Sequence, residues 1–307
     1  MNNFDDLFER RLTYPDTDAR RYFDELVGID NAKSTMVKSI CIFLNPTRLE
    51  KWAEKYHSGI SNLLDKIIRR PPLIILAGDV GTGKTQLAES VGDPVARKLG
   101  INITLLPVSL SARGMGRVGE MTKLISSAFG YTLTEAEKFK DREKNLSRAG
   151  IILLVDEADA LAQSREMTQM HHEDKAGVNA FIRGIDRIAS SRVPAIVIMC
   201  TNRLSAIDPA IKRRAAEIIE FSRPNKEQTE TVLNVISEVG VTDAEISTLA
   251  EISVDKGLTY SDLTQRLLPA IILNAYPDKP IQFEDIFKVL EAMLATPAFR
   301  DENNEYQ

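Results

Sequence analysis

Eight residues, Gly78-Asp79-Val80-Gly81-Thr82-Gly83-Lys84-Thr85, stand between the apolar run Leu73 to Ala77 and the helix-favouring Gln86-Leu87-Ala88-Glu89-Ser90. A G-x-x-x-x-G-K-T segment between a strand and a helix is a phosphate cradle, and the chain around it must be α/β. Glycines let successive backbone N–H groups turn inward toward phosphate oxygens, and a helix starting near Gly83 adds its positive end. Gly81, Thr82, Gly83, Lys84, Thr85 and Gln86 are therefore the expected phosphate contacts. Lys84 would reach the β and γ phosphates of ATP, and the Thr85 hydroxyl would ligate Mg²⁺. Asp79 occupies a variable position, and its side chain is expected to face away from the phosphates.

A second motif adds hydrolysis. Ile151 to Val155 is a continuous apolar run ending in Asp156-Glu157, the pattern of a buried parallel strand that delivers acids at its carboxyl end. Ligands bind at that end of open α/β sheets. Asp156 is expected to hold Mg²⁺ through water and Glu157 to orient and polarise the attacking water. Asp156-Glu157-Ala158-Asp159 also spells a helicase signature, but the other motifs of those enzymes are missing from the sequence.

With 307 residues, 43% of them hydrophobic, the chain can build one large domain and a smaller one. It has no apolar stretch of membrane-spanning length, and Met1 to Leu26 lacks the apolar centre of a secretory signal, so a cytoplasmic protein is expected. Cys41 and Cys200 suggest buried thiols, and the three histidines show no metal spacing. A formal net charge of −5 weighs against general nucleic-acid binding, although Arg69-Arg70 and Lys212-Arg213-Arg214 are local basic patches. Five apolar runs (Leu73 to Ala77, Ile103 to Val108, Ile151 to Val155, Ala195 to Cys200, Glu217 to Phe221) alternate with helical stretches, which predicts a five-stranded parallel sheet covered by helices. After Pro224 the pattern is helical throughout, with Asn225 as an N-cap and Gly240 as a stop. The expected division is a short N-terminal segment (1–22), a large α/β domain (23–223), an all-α lid domain (224–297) and a polar tail (298–307).

Further motifs complete a resemblance. Val197 to Arg203 places Asn202 at the end of an apolar strand, and Asp208-Pro209-Ala210-Ile211-Lys212-Arg213-Arg214 follows. Phe23 to Asp30 and Gly257 to Leu263 lie on either side. Together these resemble an AAA+ P-loop NTPase over residues 20 to 296. The resemblance implies that Val27, Gly28 and Ile29 border the adenine. It also implies that Asn202 contacts the attacking water or the γ-phosphate, and that a downstream arginine reaches the neighbouring subunit's nucleotide.

Val178-Asn179-Ala180, Ile185-Asp186-Arg187-Ile188 and Arg214-Ala215 narrow it to the HORMA-remodelling ATPases of the pachytene-checkpoint type and their bacterial relatives in CD-NTase anti-phage operons. That branch makes Arg214 the first choice for the arginine finger and Arg213 the second. A finger supplied in trans implies a ring, a homo-hexamer. Arg113, Met115 and Arg117, in the segment after the second strand, would form a pore loop that grips a protein substrate. A second loop over Ala162 to Ala176 would bring His171 and His172 toward the pore.

The implied substrate is a HORMA-domain protein with its nucleotidyltransferase partner, with no nucleic acid or membrane involved. Where the pachytene type has a nucleotide-reading lid arginine, this chain has Ser261, which puts that sensor contact in doubt. A DNA-directed loader, a general protein unfoldase and a nucleotide-dependent scaffold are the competing readings.

Overall fold

A computed structural model of the protein describes residues 7–57, 60–110, 119–140, 147–163 and 171–298. The pore-loop residues Arg113, Met115 and Arg117 lie outside the described residues, as do the side chains of His171 and His172.

Among the described residues six strands form one sheet: β1 (Leu12–Tyr14), β2 (Leu73–Gly78), β3 (Asn102–Ser109), β4 (Ala149–Asp156), β5 (Ala195–Thr201) and β6 (Glu217–Phe221), in the order β1-β3-β4-β5-β2-β6. β3, β4, β5 and β2 pair in parallel. Their apolar runs are buried along nearly their whole length, as a sheet covered on both faces requires. The five expected strands are all present. A sixth, β1, joins as an antiparallel edge against β3, with Leu12 opposite Leu105 and Tyr14 opposite Ile103.

The helices before β2 are α1 (Thr17–Glu25), α2 (Asp30–Leu44), α3 (Thr47–Tyr56) and α4 (Ser61–Ile68). Between the strands lie α5 (Lys84–Ser90), α6 (Gly92–Leu99), α7 (Glu120–Glu137), α8 (Ala160–Gln163), α9 (His171–Ser191) and α10 (Pro209–Lys212). α7 and α9 cover one face, where Phe129 and Phe181 meet edge to face with ring centroids 5.4 Å apart. Gly184 belongs to this contact, since a Cβ there would lie 2.4 Å from the Phe129 ring.

The chain divides into two compact units. One holds the sheet and its helices. The other comprises residues 25–30, 78–84 and 221–307, so the phosphate loop's own contacts group it with the C-terminal helices. Those are α11 (Lys226–Leu233), a 3₁₀ turn (Asn234–Val239), α12 (Asp243–Asp255), a π-helical stretch (Asp262–Leu267), α13 (Leu268–Ala275) and α14 (Phe283–Ala292). Capping boxes start α11 at Asn225 with Gln228 and α12 at Thr242 with Glu245, each satisfying two N–H groups that a helix start leaves open. The unit has its own apolar core, built around Leu233, Leu249, Leu263, Leu267 and Leu290. Among the described residues no helix is long and apolar enough to cross a membrane.

Candidate nucleotide site

The phosphate loop leaves the end of β2 and ends at the first turn of α5. Gly78 (φ +146°) and Gly81 (φ +73°) adopt backbone that side chains rarely tolerate. Neither could carry a Cβ, which would sit 2.1 Å from the Phe221 carbonyl at Gly78 and 2.7 Å from the Thr259 hydroxyl at Gly81. The Thr82 hydroxyl donates to the Asp79 carbonyl at 2.8 Å and tightens the turn. Lys84 is 6% exposed. Its ammonium donates to the carbonyls of Gly78 (2.9 Å) and Asp79 (2.7 Å), the hydrogen bonding that a buried cation needs. The Asp79 carboxylate is held by Arg223. Of the residues expected at the adenine, Gly28 lies beside Gln228, whose side-chain amide donates to the Gly28 carbonyl at 3.0 Å. Ser261 donates its backbone N–H to the Gly81 carbonyl at 3.0 Å.

The acidic residues lie at the carboxyl end of β4. The Thr85 hydroxyl donates to the Asp156 carboxylate at 3.0 Å, so the two expected Mg²⁺ ligands meet. A hydroxyl and a carboxylate are hard oxygen donors of the kind Mg²⁺ takes, with its remaining positions left to water and phosphate. Glu157 follows with φ +52°. A non-glycine residue in that region stores of order 1–3 kcal/mol of strain, which the surrounding structure must sustain. Two contacts do so: the Ser109 hydroxyl donates to a Glu157 carboxylate oxygen at 2.9 Å, and the Glu157 N–H donates to the Asp156 carboxylate at 2.8 Å. Ser109 sits opposite Asp156 in the β3–β4 register.

Asn202, just past β5, is fixed by Asp159. That carboxylate, only 8% exposed, accepts from the Thr201 hydroxyl (2.6 Å), the Asn202 side-chain amide (3.0 Å) and the backbone N–H groups of Asn202 and Arg203 (3.1 Å each). The last letter of the helicase-like tetrad thus belongs to the Asn202 support.

Beyond α10, Arg213 is exposed. Arg214 forms a two-pronged pair with Asp186 of α9, at 2.8 and 3.1 Å, and donates to the Ala210 carbonyl at 3.1 Å. The bond to Asp186 pushes the Arg214 pKa above its ordinary value, against the small opposing effect of burial.

Comparison with known proteins decides the class. The model of the ATPase family associated with various cellular activities (AAA) matches residues 74–223. CD-NTase-associated protein 6 of Escherichia coli strain MS 115-1 is 50% identical over 305 residues, 97% of this chain and 98% of that protein. The chain belongs to the AAA ATPase family. Among solved structures, a chain of the E. coli MS115-1 HORMA:CdnC:Trip13 complex superposes on this ATPase with a TM-score of 0.89 at 50% identity, covering 97% of this chain and 99% of that one. A Rhizobiales Trip13 superposes at 0.74 with 46% identity, covering 95% of this chain and 100% of that one.

Membership carries nucleotide binding, and the phosphate loop of this AAA ATPase is built for it. Ser109, Asp159, Asp186 and Arg223 were not among the expected site residues. Ser109 and Asp159 could have been found by aligning the ends of the parallel strands, where Ser109, Asp156 and Thr201 all fall. Asp186 lies in the Ile185-Asp186-Arg187-Ile188 motif, which does not pair it with Arg214, and Arg223 belongs to none of the motifs singled out in the sequence.

Proposed function

We propose that this AAA ATPase hydrolyses MgATP as a homo-hexamer and uses the energy to open a HORMA-domain protein, releasing a nucleotidyltransferase partner and quieting anti-phage signalling in the cytoplasm. One observation carries the substrate assignment: nearly the whole chain matches, at 50% identity, a chain of a HORMA:CdnC:Trip13 complex. In this reading residues 23–223 form the ATPase domain and 224–297 the lid.

Each residue has a task in this reading. Val27, Gly28 and Ile29 border the adenine. Gly81, Thr82, Gly83 and Gln86 flank the phosphates with Lys84, whose ammonium exchanges its carbonyl partners for β and γ oxygens. Thr85 and Asp156 hold Mg²⁺, which when bound neutralises phosphate charge. Glu157, with one carboxylate oxygen fixed by Ser109, accepts a proton from the attacking water, and Asn202 orients that water. Arg214 of a neighbouring subunit stabilises the charge that develops on the transferred phosphoryl group, a contribution of about 10³ to 10⁵ in rate in related systems. The ion pair with Asp186 must open for that reach. Met115 grips the client without demanding a sequence, as a flexible thioether can, with Arg113 and Arg117 beside it.

Phosphate release by the purified chain tests the reading. A folded HORMA partner should stimulate it. Equal stimulation by unfolded polypeptide would indicate a general unfoldase, and stimulation by DNA a loader. Assembled protein that binds MgATP and releases no phosphate with any of these would overturn hydrolysis itself.

A further inference from the structure

A loop that binds a polyanion is an unfavourable place for a carboxylate, yet the second residue of this phosphate loop is Asp79. Its side chain is 18% exposed. One carboxylate oxygen accepts the Val80 N–H at 2.9 Å. The other accepts two guanidinium nitrogens of Arg223, Nε at 2.8 Å and Nη2 at 2.6 Å. Arg223 is 22% exposed, and its fork has further anchors. Nη1 donates to the Gly257 carbonyl and Nη2 to the Thr296 carbonyl, the latter at 2.9 Å.

Those anchors are themselves held. Thr296 donates its N–H and its hydroxyl to the fully buried Asp262 at 3.0 and 2.7 Å. Asp262 also accepts the N–H and hydroxyl of Thr259, both at 3.0 Å. Two residues beyond Thr259, the Ser261 N–H reaches the Gly81 carbonyl. The phosphate loop is therefore fastened to the C-terminal helices at two points, by a side-chain ion pair at Asp79 and by backbone at Gly81.

We propose that Arg223 is a positioning residue for nucleotide binding: its guanidinium cancels the negative charge that Asp79 places in the phosphate loop and ties the loop's opening residue to the Gly257 and Thr296 carbonyls. An uncompensated Asp79 would oppose the incoming triphosphate through the poorly screened loop, whereas a neutral residue would not. This rests on the assignment of the loop to MgATP.

Equilibrium binding of MgADP to the full chain, with steady-state MgATP hydrolysis alongside, tests it. Arg223→Gln should weaken MgADP binding roughly tenfold and raise the KM for MgATP by a similar factor, with kcat changed less than about threefold. The double variant Asp79→Asn, Arg223→Gln should return to within about threefold of wild type, a non-additivity that loss of a structural contact alone would not produce. Arg223→Lys should recover part of the loss. Binding by Arg223→Gln equal to wild type, or binding by the double variant as weak as by Arg223→Gln, would overturn the proposal while leaving the loop assignment intact. A wild-type chain that binds no nucleotide would instead defeat the assignment. Should Arg223→Gln fail to fold, the double variant decides alone.

Discussion

Asp159 offers the sharpest test of how the site is held together. Asp159→Asn keeps size and shape but replaces one carboxylate oxygen with an amide NH₂ group. In the placement that keeps the short bond from the Thr201 hydroxyl, the new NH₂ group faces the Asn202 amide NH₂, donor against donor. The bond now made at 3.0 Å is lost, and the bonds from the Asn202 and Arg203 N–H groups lose their charge assistance. A hydrogen bond to a charged group is worth about 1.5–3 kcal/mol and a neutral one about 0.5–1.5. One lost bond and two weakened ones, at about 1–1.5 kcal/mol each, therefore sum to roughly 3.5–6 kcal/mol. For a domain of this size that lowers Tm by roughly 7–24 °C.

Turnover should suffer separately, because Asn202 loses the contact that fixes its amide. A misplacement of about 1 Å at a reacting centre can cost on the order of 10²-fold. We expect kcat to fall ten- to a hundredfold at temperatures where the variant is folded, with the KM for MgATP nearly unchanged, because the bonds that Asp159 accepts come from Thr201, Asn202 and Arg203. The assay is steady-state phosphate release beside a thermal melt. A folded Asp159→Asn protein with wild-type kcat would show that Asn202 either needs no support or does no work in the reaction.

Glu157→Gln should retain MgATP binding and lose about 10²- to 10⁴-fold in turnover; comparable loss of both would make Glu157 a binding residue. Arg214→Ala should lose on the order of 10³-fold or more and regain activity when mixed with Glu157→Gln subunits, which bring an intact arginine to the neighbouring site. Failure of mixed assemblies to recover would place the arginine in cis. Burial pushes the Asp262 carboxyl pKa up, but bonds from Thr259, Thr296 and Arg266 outweigh it and hold the group well below the ordinary range. Because the folded pKa is the lower one, this stabilisation is present above the ordinary Asp value of about 3.9 and is lost as pH falls from there toward the folded value. Acid unfolding of the C-terminal helices should steepen below about pH 4 in wild type and not in Asp262→Asn. Parallel curves for the two proteins would contradict the assignment.

The main strands and the C-terminal helices were legible because their signals are local. A continuous apolar run reads as a buried strand, and Asn225 reads as a cap, without knowledge of any distant residue. β1 was not legible. Three residues cannot show alternation, and Leu12–Tyr14 becomes a strand only because β3 offers an edge. The separation of α5 from α6 is tertiary too, since Gly92 lies against the Tyr14 ring, 2.3 Å from where its Cβ would be. The segment from Ser261 reads as one helix in the sequence, yet it begins as a π-helical stretch at Asp262, whose carboxylate gathers donors from Thr259 and from Thr296.

The same division between local and distant signals runs through the site. Residues that would meet nucleotide or water, such as Lys84, Thr85, Asp156, Glu157 and Asn202, are recognisable because the chemistry fixes residue type and spacing along one strand or loop. The residues that hold them show no fixed spacing from what they hold, because a support needs only the right distance in space. Ser109 finds Glu157 across 48 positions and Asp159 finds Asn202 across 43; Asp186 finds Arg214 across 28 and Asp79 finds Arg223 across 144. Parallel register makes two of these intelligible afterwards. With Ser109 opposite Asp156 and Ala77 opposite Thr201, residues that end successive strands must converge at one edge, where a ligand of an open α/β sheet is expected. It follows that exchanging a chemical residue should cut turnover at nearly constant stability, whereas exchanging the support of a reacting group, as Asp159 supports Asn202, should cut both. Glu157→Gln and Asp159→Asn differ in that respect, which a melt and a rate measured on the same two samples can show.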